Sequence, residues 1–202
     1  MDALRRCVVV LLFAAAVVRA ESVPDGAAIA TAARTQVGVT TSYDPSYRRI
    51  AYPNGDVPID TGVCADVVVR ALRGIGIDLQ SEVNADMRAH FSAYPANWGL
   101  SKPDRNIDHR RVPNLRRWFQ RKGWSLGVSD DAADYLPGDL VSWTLPNGRP
   151  HIGVVSSRRD ASGRPRVVHN IAVGAREEDV LFAWTITGRY RKPRAMTPPS
   201  GA

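Results

Sequence analysis

Cys7–Val18 is an unbroken apolar run of 12 residues, preceded by Arg5 and Arg6 and followed by Val18-Arg19-Ala20. The run is too short to span a membrane, and a small residue stands at the cleavage position. The pattern predicts a secretory signal peptide over 1–20. Beyond it the apolar period is helical. Ile29, Ala32, Ala33 and Val37 share a face, predicting a first helix over Asp25–Val37 that ends at Gly38. Val63, Val67, Ala71 and Leu72 predict a second helix that begins near Gly62, carries Cys64 and closes at Gly74. Leu79, Val83, Met87 and Phe91 recur every four residues and predict a third, stopped by Pro95. Pro113 suits the first turn of a fourth helix that ends at Gly123, with Leu115, Trp118 and Phe119 on its inner face. Two long stretches rich in turn residues, Thr40–Asp60 and Tyr94–Pro113, separate these elements.

After Leu136 the period shortens. Strands are expected at Asp139–Leu145, His151–Ser156, Arg166–Ile171 and Trp184–Tyr190, separated by Pro-Gly, Asn-Gly and Ser-Gly turns. Helices first and strands second predict an α+β domain with a mainly antiparallel sheet over 21–192. Residues 193–202 are expected to form a frayed tail.

Composition narrows the class. The chain has 202 residues, 44% hydrophobic and 23% charged, which excludes wholesale disorder and fibrous folds. Cleavage after Ala20 removes three arginines and one aspartate and lowers the net charge from +7 to +5. It also removes Cys7, leaving Cys64 alone in an exported and oxidising setting where structural cysteines pair. Arg110, Arg111, Arg116, Arg117, Arg121 and Lys122 crowd one acid-free segment. In an exported protein such a face fits an anionic wall polymer better than nucleic acid.

A thiol at a helix start faces unpaired N–H groups and the positive end of the helix dipole, which favour the thiolate. That position makes Cys64 a candidate nucleophile. His151, at the mouth of a buried strand, is the candidate base, and His169 a candidate third member if the hairpin register is even. Asn170 is its stand-in, because an amide oxygen also orients an imidazole. No CxxC or HExxH spacing gathers metal ligands, and no phosphate loop, dinucleotide fingerprint or GxSxG elbow is present. The reading therefore calls for no cofactor.

Thr61-Gly62-Val63-Cys64-Ala65-Asp66-Val67-Val68-Val69-Arg70-Ala71-Leu72 resembles the signature of the bacterial domain of unknown function 1287 family. So do Trp98-Gly99-Leu100, Asn106–Leu115, Pro137-Gly138-Asp139-Leu140-Val141, His151-Ile152-Gly153-Val154-Val155 and His169-Asn170-Ile171. The cysteine at a helix start and the His-Ile-Gly-Val-Val strand are also similar to NlpC-type papain-like cysteine peptidases. That resemblance implies a papain-like fold, with Cys64, His151 and His169 catalytic and Tyr52 on the substrate side. Val63-Cys64-Ala65-Asp66 replaces the usual Asp-Cys-Ser, and 79–123 is longer than the usual link, an insertion of helix and loop. Tyr43, Tyr47, Asp66, Trp98 and His109 are further candidates for the cleft. The implied protein is a periplasmic or secreted, monomeric cysteine peptidase or amidase acting on peptidoglycan. Its rivals are an inactive wall-binding module and an acyl- or peptidyl-transferase on the same fold.

Overall fold

The computed structural model describes residues 25–193; the expected signal peptide and all but the first residue of the expected tail lie outside them. In chain order the elements are α1 (Asp25–Arg34), β1 (Ser42–Tyr43), β2 (Thr61–Gly62), α2 (Cys64–Arg73), α3 (Leu79–Ala89), α4 (Val112–Arg121), β3 (Ser125–Leu126), β4 (Leu140–Thr144), β5 (Pro150–Arg159), β6 (Pro165–Asn170), β7 (Ala175–Glu178) and β8 (Thr185–Tyr190). The four helices come before a six-stranded antiparallel sheet of order β3-β8-β4-β5-β6-β7. Mixed helices on an antiparallel sheet is the class that the hydrophobic period predicts. Among the described residues no helix is long and apolar enough to cross a membrane.

The sheet is packed on both faces. Helix-side residues Leu140, Ile152, Val154 and Val168 meet Ile29 and Ala33 of α1, most of α2, and Leu115 and Phe119 of α4. On the other face Val141, Trp143, Val155 and Val167 pack with Tyr135 and Leu181 from the loops. Strand β5 thus alternates between two cores, which is why His151–Ser156 reads as a continuous apolar strand.

Helix α2 is buried along its whole length from Cys64 to Leu72. Its N-cap is Val63, not Thr61 or Gly62, and no hydroxyl caps it. Instead Asp66 reaches back and accepts from the Val63 N–H at 2.6 Å. Helix α1 ends three residues before the predicted limit: Val37 is exposed and Ala30 takes its place in the core. Helix α3 stops at Ala89, and Phe91–Ala93 forms a separate 3-10 turn. Strands β3 and β7, and the parallel pair β1–β2, had no counterpart in the hydrophobic pattern.

Candidate active site

Cys64 is the first residue of α2 and lines a cleft of about 400 Å³. Tyr43, Pro45 and Pro150 form part of the wall, and Trp98, Ile107, Arg110, Arg111, Val112 and Pro113 form the rest. The long segment 79–123 therefore supplies one whole side. The backbone N–H groups of Ile152 on β5, of Ala65 and of Cys64 itself lie close enough to the sulfur to lower its pKa. These donors favour the thiolate. Burial opposes them and wins: the thiol is pushed up to about 12. The helix-start argument named a real contribution but left out desolvation, so the expected low-pKa thiolate is corrected to a neutral thiol.

His151 and His169 are brought together. The pairs Val154–Val168 and Val155–Val167 carry an even register toward the end of the hairpin, so the two imidazoles share a face as diagonal neighbours. Nε2 of His151 and Nδ1 of His169 are 3.0 Å apart and hydrogen-bonded. Gly153 permits this closeness. A Cβ there would lie 2.7 Å from Val167 Cγ1 and 3.2 Å from His169 Cβ. A second bond of 3.0 Å joins His169 Nε2 to Glu178 Oε2 on β7.

Trp143 and Trp184 pack around the imidazoles, with Trp184 edge-on to both. This dry enclosure lowers His151 to about 3, and the neighbouring His169 adds to the effect. Burial also lowers His169, against the opposing pull of Glu178.

The cysteine and the histidine pair approach from different sides of the pleat. Cys64 belongs to the helix-side core, while His151 stacks with Trp143 of the other one. The sulfur meets the backbone N–H one residue beyond His151, and the His151 imidazole bonds to His169 rather than to the sulfur. Both histidines are buried, at 2% and 1% exposure, and neither is part of the cleft wall. At rest the thiol and the imidazole are both neutral and do not bond to each other.

Asn170 projects to the helix side. Its amide donates to the carbonyls of Gly62 and Ser42 and accepts from the Gly174 N–H. It pins the approach to Cys64 and does not touch His151.

The other expected site residues divide. Tyr43 and Trp98 line the Cys64 cleft, and the Arg111 guanidinium lies 4.1 Å over the Trp98 ring. Burial and then the nearby Cys64 raise the Tyr43 phenol. Tyr47 lies in a second groove of about 710 Å³, and Tyr52 is covered by Arg105 at 5.3 Å.

Asp66 and His109, expected to face substrate, are buried instead. Asp66 holds Arg110 through two bonds of 2.8 and 2.9 Å, with both side chains 4% exposed. His109 is 2% exposed, its Nδ1 has no partner, and burial lowers it to about 4.

The basic run divides: Arg110 is buried, Arg111 and Arg116 are half-buried, and Arg117, Arg121 and Lys122 are exposed. Arg110 pairs with Asp66, Arg111 with Asp108, Arg121 with Asp86 and Lys122 with Glu82, while Arg116 donates to the Thr187 carbonyl. A solvated basic face remains at the end of α4, where Arg117, Arg121 and Lys122 are exposed, the last two beside Asp86 and Glu82. Among the described residues Arg49, Lys102 and Arg105 have no carboxylate partner, and all three line the second groove beside Asn106. Sequence reasoning also missed Glu178. The available signal was an acidic pair, Glu177-Glu178, just past the turn that ends at Gly174; Glu178 lies diagonally from His169, whose direct partner is Arg176.

The family model described as Domain of unknown function (DUF1287) matches residues 30–192. "Uncharacterized protein YijF" of Escherichia coli (strain K12) is 54% identical over 164 residues, which is 81% of this chain and 80% of that protein. Among solved structures, "Structure of NlpC1 from Trichomonas vaginalis" aligns with a TM-score of 0.45 at 14% identity. That alignment covers 86% of this chain and 46% of the other, so the chain spans under half of that protein's length.

Proposed function

This chain belongs to the family described as Domain of unknown function (DUF1287), and from that premise we propose that it is an exported thiol hydrolase acting on amide bonds of peptidoglycan stem peptides or cross-bridges. One observation carries the reading. Cys64 stands first in α2 on the wall of a cleft, its sulfur against the N–H of the residue that follows a hydrogen-bonded histidine.

In this reading Cys64 attacks a substrate carbonyl while His151 takes the thiol proton. Because thiol and imidazole are both neutral at rest, proton transfer accompanies attack instead of preceding it. The Cys64 N–H at the helix start stabilises the oxygen as charge develops. His151 then protonates the leaving amine, and water hydrolyses the thioester. The cleft wall is largely apolar, which suits a peptide, and the cationic groove of Arg49, Lys102 and Arg105 suits its carboxylates. The domain proposed to act is 21–192, released by removal of 1–20.

The test is a digest of purified sacculi with the protein and with Cys64→Ala, read by mass spectrometry of released fragments. Fragments formed only by the unaltered protein are expected. Equal fragments from both would end the mechanism. The separation of the resting sulfur and imidazole favours one rival, a wall-binding module without catalysis. That rival predicts no fragments, with both proteins pelleting with sacculi.

A further inference from the structure

The hydrogen-bonded chain His151–His169–Glu178 has a direction, and Glu178 sets it. An ionised carboxylate has only acceptors, so the 3.0 Å bond at Glu178 Oε2 requires the proton on His169 Nε2. A neutral His169 protonated there has a lone pair on Nδ1. The 3.0 Å bond at that nitrogen must then be donated by His151 Nε2–H. His151 is left with its lone pair on Nδ1.

We propose that Glu178 is a positioning residue that fixes, through His169, the tautomer in which His151 Nδ1 is the free proton acceptor. This rests on the reading of His151 as the base of a thiol hydrolase. It goes beyond that reading by assigning the acceptor atom and the residue that determines it.

The surroundings suit the task. Both imidazoles are buried, His151 against Trp143 and Trp184 and His169 against Trp184, which shields the shared bond from solvent. Burial holds both in the neutral state, the only one with a tautomer to choose. Glu178 is the partly exposed end of the chain, with its side chain 39% accessible on edge strand β7, so its removal leaves no cavity in the core. The adjacent Glu177 is occupied elsewhere, by Ser156, Arg158 and Arg34. Without Glu178 the His–His bond can reverse. His151 would then carry its proton on Nδ1 and could not accept another there. During the proposed reaction the carboxylate also stabilises the positive charge that His151 acquires.

The experiment reads imidazole ¹⁵N shifts at pH 7 in histidine-labelled protein, which report which ring nitrogen carries the proton without any substrate. The unaltered protein is expected to show Nε2–H on both His151 and His169. Glu178→Ala is expected to move a substantial fraction of His151 to Nδ1–H. Glu178→Gln keeps an acceptor oxygen and should retain much of the original tautomer, and Glu177→Gln should retain all of it. Protonation of His151 at Nδ1 in the unaltered protein overturns the proposal, as does an unchanged spectrum in Glu178→Ala.

With sacculi as substrate, kcat of Glu178→Ala should fall on the order of 10²-fold with KM within about twofold. A fall confined to KM overturns the assigned role. A tautomer shift in a protein that hydrolyses nothing supports the relay and overturns the hydrolase reading alone.

Discussion

Cys64 is under opposing influences: nearby backbone N–H groups favour the thiolate, yet burial in the helix-side core leaves it a weak acid near pH 12. Attack on iodoacetamide requires the thiolate, whose fraction at neutral pH is very small for such a group. Alkylation of the native protein should therefore be slow at pH 7, rise about tenfold per pH unit through pH 10, and show no plateau near 8.5. Mass spectrometry of quenched time points measures it. A plateau between pH 6 and 9 would mean that the sulfur is activated at rest, and would contradict the neutral pair. The Ile152 N–H has a consequence of its own. It lies one residue from His151 on β5, so the strand that favours the thiolate also carries the imidazole.

At the scale of elements, one buried ion pair joins the Asp108–Arg110 turn, which leads into α4, to the start of α2. Asp66 caps the start of α2 and grips Arg110, which also donates to the carbonyls of Asp44 and Ser46 across the cleft. Removing either partner strands a buried charge. Asp66→Ala should cost about 3–5 kcal/mol in urea unfolding, and the double variant Asp66→Ala/Arg110→Ala clearly less than the sum of the two singles. Strict additivity would show that the pair is not coupled.

The elements that the sequence revealed are those with a strong apolar period. Val63, Val67, Ala71 and Leu72 expose α2, and Ile152 with Val154 exposes β5. Strand β7 reads Ala-Arg-Glu-Glu and has no apolar alternation, because it pairs at an edge with charged side chains outward. Glu178 was hidden with it. Asp66 and His109 misled for a different reason: neither a place beside the cysteine, for Asp66, nor a place in a long loop, for His109, reveals burial, which depends on where the Asp108–Arg110 turn packs. The even register that joins His151 to His169 could be stated in advance only as a condition, since the turn between them does not fix it.

Across the whole molecule, buried histidines set the acid limit of stability. His151 titrates near 3 in the folded chain and near 6.5 when unfolded, and His109 near 4 for the same reason. Below pH 6.5 the unfolded chain gains protons that the folded chain refuses. The stability these groups contribute is complete above that pH and is lost as pH falls. Each contributes a slope of about 1.4 kcal/mol per pH unit while it lags. Melting temperature should hold from pH 8 to about 6.5 and fall steeply to pH 4, before most carboxylates titrate. A flat profile between pH 6.5 and 4.5 would show that the histidines are solvated. The same assembly also has an order in time. Cys64 and Glu178 are separated by more than half of the chain, and the link from His169 to Glu178 closes only when edge strand β7 has docked on β6. A chain made from its N-terminus therefore carries Cys64 as an ordinary solvated thiol until the sheet closes, and folding itself withdraws the sulfur from reaction with the solution by raising its pKa.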